Sequence, residues 1–382
     1  MALYLKTSKR LGIALWGLGS HARKNILPAI AKSDVFDLIG VFTRNSDNAQ
    51  QVSDEYGGRN WSSQEAMLVD QDVGVVYIAT PTGLHFEHCQ AVIESNKHII
   101  CEKALTDDGN KSLQLIEQAR EKGLVLCEAF MFLYHPHFRK VLEIIQNASF
   151  GKIYNISCYF GLPELENPGF RQSKELGGGA FLDVGSYTFS AVVSLFEILP
   201  DSLTIEIDDQ HSTVDMSGVA HLNFGSMQHA YLNWGYQRAY RAELMVWGEN
   251  QSLYADRIFS KKDCFEAEIV LRNVYGQVEK ITVDPANSFI EMFNLVQSAI
   301  QNKDDKELLY QQAQQQAKMM CLRFLRALHI YLLALVTAGS SKHILKPVTL
   351  MPLIHLVIAL LFLLMETRWL SVLLMKTVMP LE

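Results

Sequence analysis

Gly17, Gly19 and Ala22 stand at the spacing G-x-G-x-x-A, with Ser20 and His21 between the second and third. That spacing can cradle a pyrophosphate. The first glycine permits a tight turn, the second lets the backbone approach with no Cβ in the way, and a small third residue allows close helix–strand packing. A glycine pair alone also marks ordinary turns, so the flanks decide. Ahead of it lies an apolar run of strand length, Leu11–Trp16, and behind it residues 24–31 place Ile26, Leu27 and Ile30 on one helical face. Strand, glycine turn and helix in that order make Gly17, Gly19 and Ser20 candidate phosphate contacts, and the helix N-terminus adds unpaired N–H groups. The second apolar run, Phe36–Phe42, ends in Thr43 and Arg44. A chain that reads a free ribose 2′-hydroxyl usually carries Asp or Glu here, about 20 residues past the glycines. No carboxylate occurs before Asp47. A guanidinium suits a 2′-phosphate, so the reading leans to NADP over NAD. The alternative is that Arg44 is a solvated residue opening the next helix.

The elements that must position these residues alternate. Residues 73–79 read as a third strand ending at Thr80 and Pro81, residues 85–95 as a helix, and His98–Cys101 as a fourth strand ending at Glu102 and Lys103. Residues 113–122 read as a helix and residues 124–129 as a fifth strand. Strands alternating with helices predict a doubly wound parallel sheet, with ligands at the carboxyl ends of its strands. Beyond residue 152 the texture changes. Residues 153–160, 214–224, 228–236, 242–247, 266–272 and 278–283 are strand-like runs, often with alternation, which predict a largely antiparallel sheet with one wet face. Before most of them, Gly177-Gly178-Gly179 leads through Asp183 and Tyr187 into an apolar helix reaching to about residue 199.

The composition narrows the partners. A chain of 382 residues exceeds one ordinary core. A net charge of −7 without a basic block gives no footprint for nucleic acid. Six scattered cysteines form no C-x-x-C pair, which argues against structural zinc and for a reducing cytoplasm as the default compartment. No cleavable signal is expected, since the apolar run after Lys9 and Arg10 is short and already explained as the first strand. His85, His88, His135 and His137 have no carboxylate or thiolate at ligand spacing, so no metal is expected.

The ordered motifs resemble the Gfo/Idh/MocA oxidoreductases from about Leu11 to about residue 320. Their carriers are Gly17-x-Gly19-x-x-Ala22, Ala79-Thr80-Pro81 with His85, Glu102-Lys103, Glu128-Ala129-Phe130-Met131 with His135-Pro136, and Glu175 to Gly179 leading to Asp183-x-Gly185-x-Tyr187. Tyr187, where the inositol branch has histidine, is more similar to dihydrodiol dehydrogenases, xylose dehydrogenases and glucose–fructose oxidoreductase, relatives that typically use NADP. The resemblance implies an α/β fold: a Rossmann domain over residues 8–130, then an α+β domain over residues 131–325 whose open, largely antiparallel sheet pairs with another subunit. It implies hydride transfer between NADP(H) and a hydroxyl or carbonyl of a sugar, sugar derivative or cyclic diol. Ala79, Thr80, Pro81, His85, Glu102 and Lys103 would join the cofactor site. Lys103 and Tyr187 would form the catalytic pair, since an unperturbed phenol with pKa about 10 is a poor base and an ammonium beside it favours phenolate. Asp183 would orient a sugar hydroxyl or the lysine. The competing class is a non-catalytic NADP- or sugar-nucleotide-binding protein that kept the fold.

Two departures bear on the site. Ala104 stands where the family usually has proline after Glu-Lys; a cis bond there would cost an alanine a few kcal/mol more, roughly, and a different aim for Lys103 would follow. Leu133 stands where many tyrosine-branch relatives have arginine, which leaves the substrate open. From about residue 328 the resemblance ends. Residues 326–382 form an atypical hydrophobic tail, with an uncharged stretch over 348–365 at the low edge of membrane-spanning length. A frame-disrupted or poorly ordered tail, a membrane anchor and a helix packed on a partner are its three readings.

Overall fold

The computed structural model describes residues 10–210 and 212–339, with side chains described through Leu322. The stretch 348–365 therefore lies outside the described residues. Two compact units divide the chain, Met1–Cys321 and Leu322–Glu382. Among the described residues no helix is long and apolar enough to cross a membrane.

The first layer follows the alternation: β1 (Leu11–Trp16), α1 (Leu27–Lys32), β2 (Phe36–Phe42), α2 (Ser46–Tyr56), β3 (Arg59–Asn60), α3 (Gln64–Val69), β4 (Val75–Ile78), α4 (His85–Glu94), β5 (His98–Cys101), α5 (Gly109–Glu121) and β6 (Leu126–Glu128). The six strands lie in the order β3-β2-β1-β4-β5-β6 and every pairing is parallel. The order reverses between β1 and β4, the switch point where such sheets open a crevice for a ligand. A π-helical turn over Ala22–Ile26 joins the glycine loop to α1.

The second layer is built from α6 (Pro136–Gln146), β7 (Ile153–Gly161), α7 (Ser186–Phe196), β8 (Ser202–Asp208), β9 (Ser217–Asn223), β10 (His229–Gly235), β11 (Arg241–Gly248), β12 (Gln251–Ala255), β13 (Ala267–Asn273) and β14 (Val278–Val283). Its eight strands run β14-β13-β12-β11-β7-β10-β9-β8, antiparallel except for β7 beside β10. Period-two alternation seats Ile156, Cys158 and Phe160 of β7 and Ala230, Leu232 and Trp234 of β10 in the core. Phe181 and Phe189 pack edge-on to Trp234 at 5.7 Å, which fixes α7 and the turn before it on this inner face.

The chain then returns to the first sheet through α8 (Ser288–Gln301) and α9 (Lys303–Gly339). Phe293 of α8 meets Phe36 and Tyr77 at 5.4 and 6.2 Å. Tyr310, Ala313 and Ala317 of α9 join one core cluster with Cys89 and Val92 of α4 and Leu115 and Ile116 of α5. The parallel sheet is thus covered on both faces, partly by residues from far down the chain.

Candidate active site

Gly17 follows β1 with φ 98°, and a Cβ there would lie 2.8 Å from the Ala79 carbonyl. Only glycine fits that crossing of β1 and β4. Gly19 has nothing within 4 Å of its Cβ position, and Ser20 beside it is exposed at the start of the helical segment. This is an open cradle, and it fits a pyrophosphate. Ala22 is buried, as the close packing of the turn requires. Thr43 is half-buried and Arg44 exposed at the end of β2, and Arg44 makes no ion pair among the described residues. Asn45, not Arg44, caps α2, its side chain accepting from the Asn48 N–H at 3.0 Å.

The β4 end is held from beneath. The buried His85 places Nε2 at 2.8 Å from the Thr80 carbonyl and Nδ1 at 2.9 Å from the Ala104 carbonyl. It therefore ties the Ala79–Thr80–Pro81 turn to the residue after Lys103. His88, one turn on, bonds Thr80 Oγ1 at 2.9 Å and stacks on Trp16 at 4.1 Å. Glu102 accepts from the Tyr77 hydroxyl at 2.7 Å and sits 3.2 Å from His21 Nε2 of the glycine loop. Burial opposes its ionisation, but His21, Tyr77 and Lys103 outweigh that and hold its pKa below the ordinary value. The nearby Glu128, accepting from the Leu105 N–H at 2.8 Å, is pushed up to about 8 by burial.

Lys103, Asp183 and Tyr187 come together from β5 and the entry to α7, across 80 residues of sequence. The Lys103–Ala104 peptide is cis. Lys103 Nζ donates to Asp183 Oδ1 at 2.8 Å and to the Asp183 carbonyl at 2.6 Å. The same ammonium lies over the Tyr187 ring, 5.0 Å from its centroid, rather than against the hydroxyl. The ring is boxed by Phe130, Phe132, Phe160 and Phe259 at 5.2–5.7 Å, and the hydroxyl donates only weakly, to Met131 Sδ at 3.8 Å. Burial raises the Tyr187 pKa well above the phenol value, Glu102 and Asp183 push the same way, and Arg171 opposes them.

Two partners of Asp183 escape a reading of motifs. Arg171 Nε donates to Asp183 Oδ2 at 2.6 Å, and the Tyr236 hydroxyl donates to the same oxygen at 3.0 Å. Burial alone would raise the Asp183 pKa; Lys103 and Arg171 overturn that and hold it far below the carboxylate range. Tyr236 closes an expected strand, so its place was legible and its role was not. Arg171 lies in a short 3₁₀ turn, Gly169–Gln172, inside an irregular segment with no pattern to mark it. The glycine run positions it: a Cβ on Gly178 would meet the carbonyls of Arg171 and Phe170 at 2.5 and 2.6 Å, and Gly179 N–H donates to the Arg171 carbonyl at 3.0 Å. Gly83 N–H donates to the Leu176 carbonyl at 2.9 Å, so the same run also touches the turn after β4. His135 and His137 lie elsewhere, at the start of α6, and no group of three or more metal-ligating side chains occurs among the described residues.

Comparison with known proteins gives the family. Residues 11–130 match the GFO/IDH/MocA oxidoreductase family with its NAD-binding Rossmann fold, and residues 138–254 match the GFO/IDH/MocA C-terminal domain. The chain is similar to a dTDP-3,4-didehydro-2,6-dideoxy-alpha-D-glucose 3-reductase of Saccharopolyspora spinosa, 29% identical over 279 residues that cover 72% of this chain and 83% of the relative. It is also similar to an NADP(+) D-xylose 1-dehydrogenase of Haloferax volcanii, 28% identical over 272 residues that cover 70% and 82%. A 3-ketoreductase from Actinomadura kijaniata, solved with NADP and TDP-benzene, shares the fold with a TM-score of 0.73 at 24% identity, over 81% of this chain and 96% of that one. With both family domains matched in order, this chain belongs to the Gfo/Idh/MocA family of oxidoreductases.

Proposed function

We propose that the chain transfers a hydride between NADP(H) and a carbonyl or hydroxyl carbon of a sugar, sugar derivative or cyclic diol, with Lys103, Tyr187 and Asp183 as its working residues. The observation that carries this is the meeting of those three side chains at the carboxyl ends of the parallel strands, beside a glycine cradle that opens on free space at Gly19. Gly17, Gly19 and Ser20 take the pyrophosphate, and Thr43 and Arg44 the adenosine 2′-phosphate. Ala79, Thr80, Pro81, Glu102 and Lys103 line the strand ends, with His85 acting through the carbonyls it holds. The relatives reduce a nucleotide-linked ketosugar or oxidise xylose with NADP(+), by their names, which supports the substrate class and the cofactor.

When bound, the nicotinamide supplies or accepts the hydride. The chain's own part is the proton. Tyr187 keeps its proton in this environment, and a protonated phenol is the form that can donate to a carbonyl oxygen during reduction. Oxidation needs the phenolate; Arg171 favours it, and Lys103, held by Asp183 with its ammonium 5.0 Å from the ring centroid, is the second cation beside the phenol. The eight-stranded sheet presents its outer face to a second copy of the chain, giving a homo-oligomer.

The test is NADPH binding followed by turnover on a panel of ketosugars, aldoses and diols. Tyr187→Phe keeps the boxed ring but removes the acid, and general acid–base loss costs about 10²–10⁴-fold in rate. We expect that loss in kcat with NADPH affinity little changed. A Tyr187→Phe protein with near-wild-type turnover overturns the assignment of the proton donor. NADPH binding with no turnover on any member favours the non-catalytic binding protein.

A further inference from the structure

The side chain of His21 leaves the glycine loop and ends on a different strand. The loop follows β1, whereas Glu102 follows β5, and β4 lies between them. Neighbouring strands are about 4.8 Å apart, so this link spans roughly 10 Å of sheet, across the β1–β4 switch point. At that span His21 Nε2 lies 3.2 Å from Glu102 Oε1. The tautomer is set one turn along the helix. Asn25 Nδ2 donates to His21 Nδ1 at 3.0 Å, so the ring proton sits on Nε2 and is donated to the carboxylate. Phe289 of α8 packs edge-on to the imidazole at 5.7 Å. The ring is thus held on three sides although its side chain is 44% exposed. A surface ion pair normally contributes little. This one is anchored from within the core, because the Tyr77 hydroxyl grips the same carboxylate oxygen at 2.7 Å.

An ionised Glu102 works against a cofactor site unless it is fixed. It stands at the same end of the sheet as the open cradle at Gly19, so a freed carboxylate would oppose the phosphates seated there. We propose that His21 is a positioning residue for NADP(H): its imidazole pins the Glu102 carboxylate across the switch point and keeps that charge off the cofactor's pyrophosphate. This rests on the cofactor reading above, and it gives a role to a position that the dinucleotide spacing leaves open. His21 acts through Glu102, without touching the substrate.

The experiment is a double-mutant cycle on the full chain, read as the NADPH dissociation constant from its fluorescence, with melting temperatures measured beside it. His21→Leu keeps much of the ring's volume but donates nothing, and we expect NADPH to bind about tenfold more weakly. His21→Gln carries an amide N–H at the reach of Nε2 and should restore most of the affinity. His21→Asn places its amide at the position of Nδ1, short of Glu102, and should behave as His21→Leu does. In a Glu102→Gln background no charge is left to pin, so His21→Leu should change affinity by less than about twofold. The proposal is overturned by unchanged affinity in His21→Leu, by equal losses in His21→Leu and His21→Gln, or by an undiminished His21→Leu effect in the Glu102→Gln background. Affinities that follow the melting temperatures instead of the donor at Nε2 would overturn it in favour of a structural role. A wild type that binds no NADPH overturns the cofactor reading and this proposal together; NADPH binding without a His21 effect overturns this proposal alone.

Discussion

Arg44 and Asp183 show two ways a charge is placed. Asp183, its side chain only 11% exposed, stays ionised because three donors meet it. Removing one partner of such a buried pair typically costs about 3–5 kcal/mol, since the remaining charge is left uncompensated. Arg44 is exposed and unpaired among the described residues, so nothing in the fold depends on it. Its substitution should read out on the cofactor alone. Arg44→Asp is expected to reverse a preference for NADPH over NADH, because a carboxylate repels the 2′-phosphate and accepts from a free 2′-hydroxyl. Binding titrations with both nucleotides check this. A wild type that favours NADH means Arg44 is only a solvated residue ahead of α2.

At the scale of elements, α6 carries a pH dependence. His135 caps it, Nδ1 accepting from the His137 N–H at 3.0 Å, and Pro136 follows at the first turn. His137 is fully buried, and neither ring nitrogen meets a partner at full hydrogen-bond geometry among the described residues, the Glu268 backbone giving it only partial support. Burial, then Lys261 and His135, lower its pKa to about 3; burial, then Lys261, lower that of His135 to about 4. Burial likewise lowers His88 and His98 to about 4. These imidazoles are neutral in the folded chain and gain protons on unfolding below about pH 6.5, so the unfolded state binds more protons there. Stability is fully present above that pH and is lost as pH falls from about 6.5 toward 4. Melting temperatures at pH 7.5, 6 and 5 should fall steadily, and His137→Leu should flatten the fall by removing one such group. An unchanged slope in the variant would show that His137 does not contribute.

Several elements were legible because their pattern is local. The apolar runs at β1, β2 and β5 and the strand-like run at β14 coincide with their strands, and Lys103 and Thr80 do fall just past strand ends. The edge strand β8 was not foreseen: Leu203 is buried while Thr204, Glu206 and Asp208 alternate outward, so it reads as polar sequence. β3, with two residues, is too short for a periodic signal, and β12 was not foreseen behind the tight turn that follows β11. The helix expected from residue 113 begins at Gly109, capped by Asp108. Glycine hides a helix start from any propensity argument, and its backbone approaches Ala317 of α9, a contact no local pattern contains.

At the scale of the molecule, the second sheet covers one face with α7 and leaves the other wet. In register across β9, β10, β7, β11 and β12 stand His221, Tyr231, Ser157, Met245 and Tyr254, flanked by Val219 and Trp247. Trp247 is 67% exposed, and Tyr231 and Met245 nearly half. An apolar, aromatic row of this extent is the surface on which the proposed homo-oligomer would form. Paired Met245→Lys and Trp247→Lys substitutions should shift light scattering from oligomer to monomer without changing secondary structure. A wild type that is already monomeric, or a variant of unchanged mass, would remove the sheet as the interface.

The sequence by itself determined the alternating α/β layer, the glycine cradle, the change to an antiparallel sheet and the family, because each is written in neighbouring residues or in ordered motifs. What only the tertiary structure decided is the company those residues keep. Long-range packing brings α8 and α9 back onto the first sheet, aims Lys103 over the ring of Tyr187, and closes Asp183 between Arg171 and Tyr236. The physical reason is that a buried carboxylate draws its donors from whatever the fold sets beside it, and here they come from three separate elements whose separation in the chain carries no period.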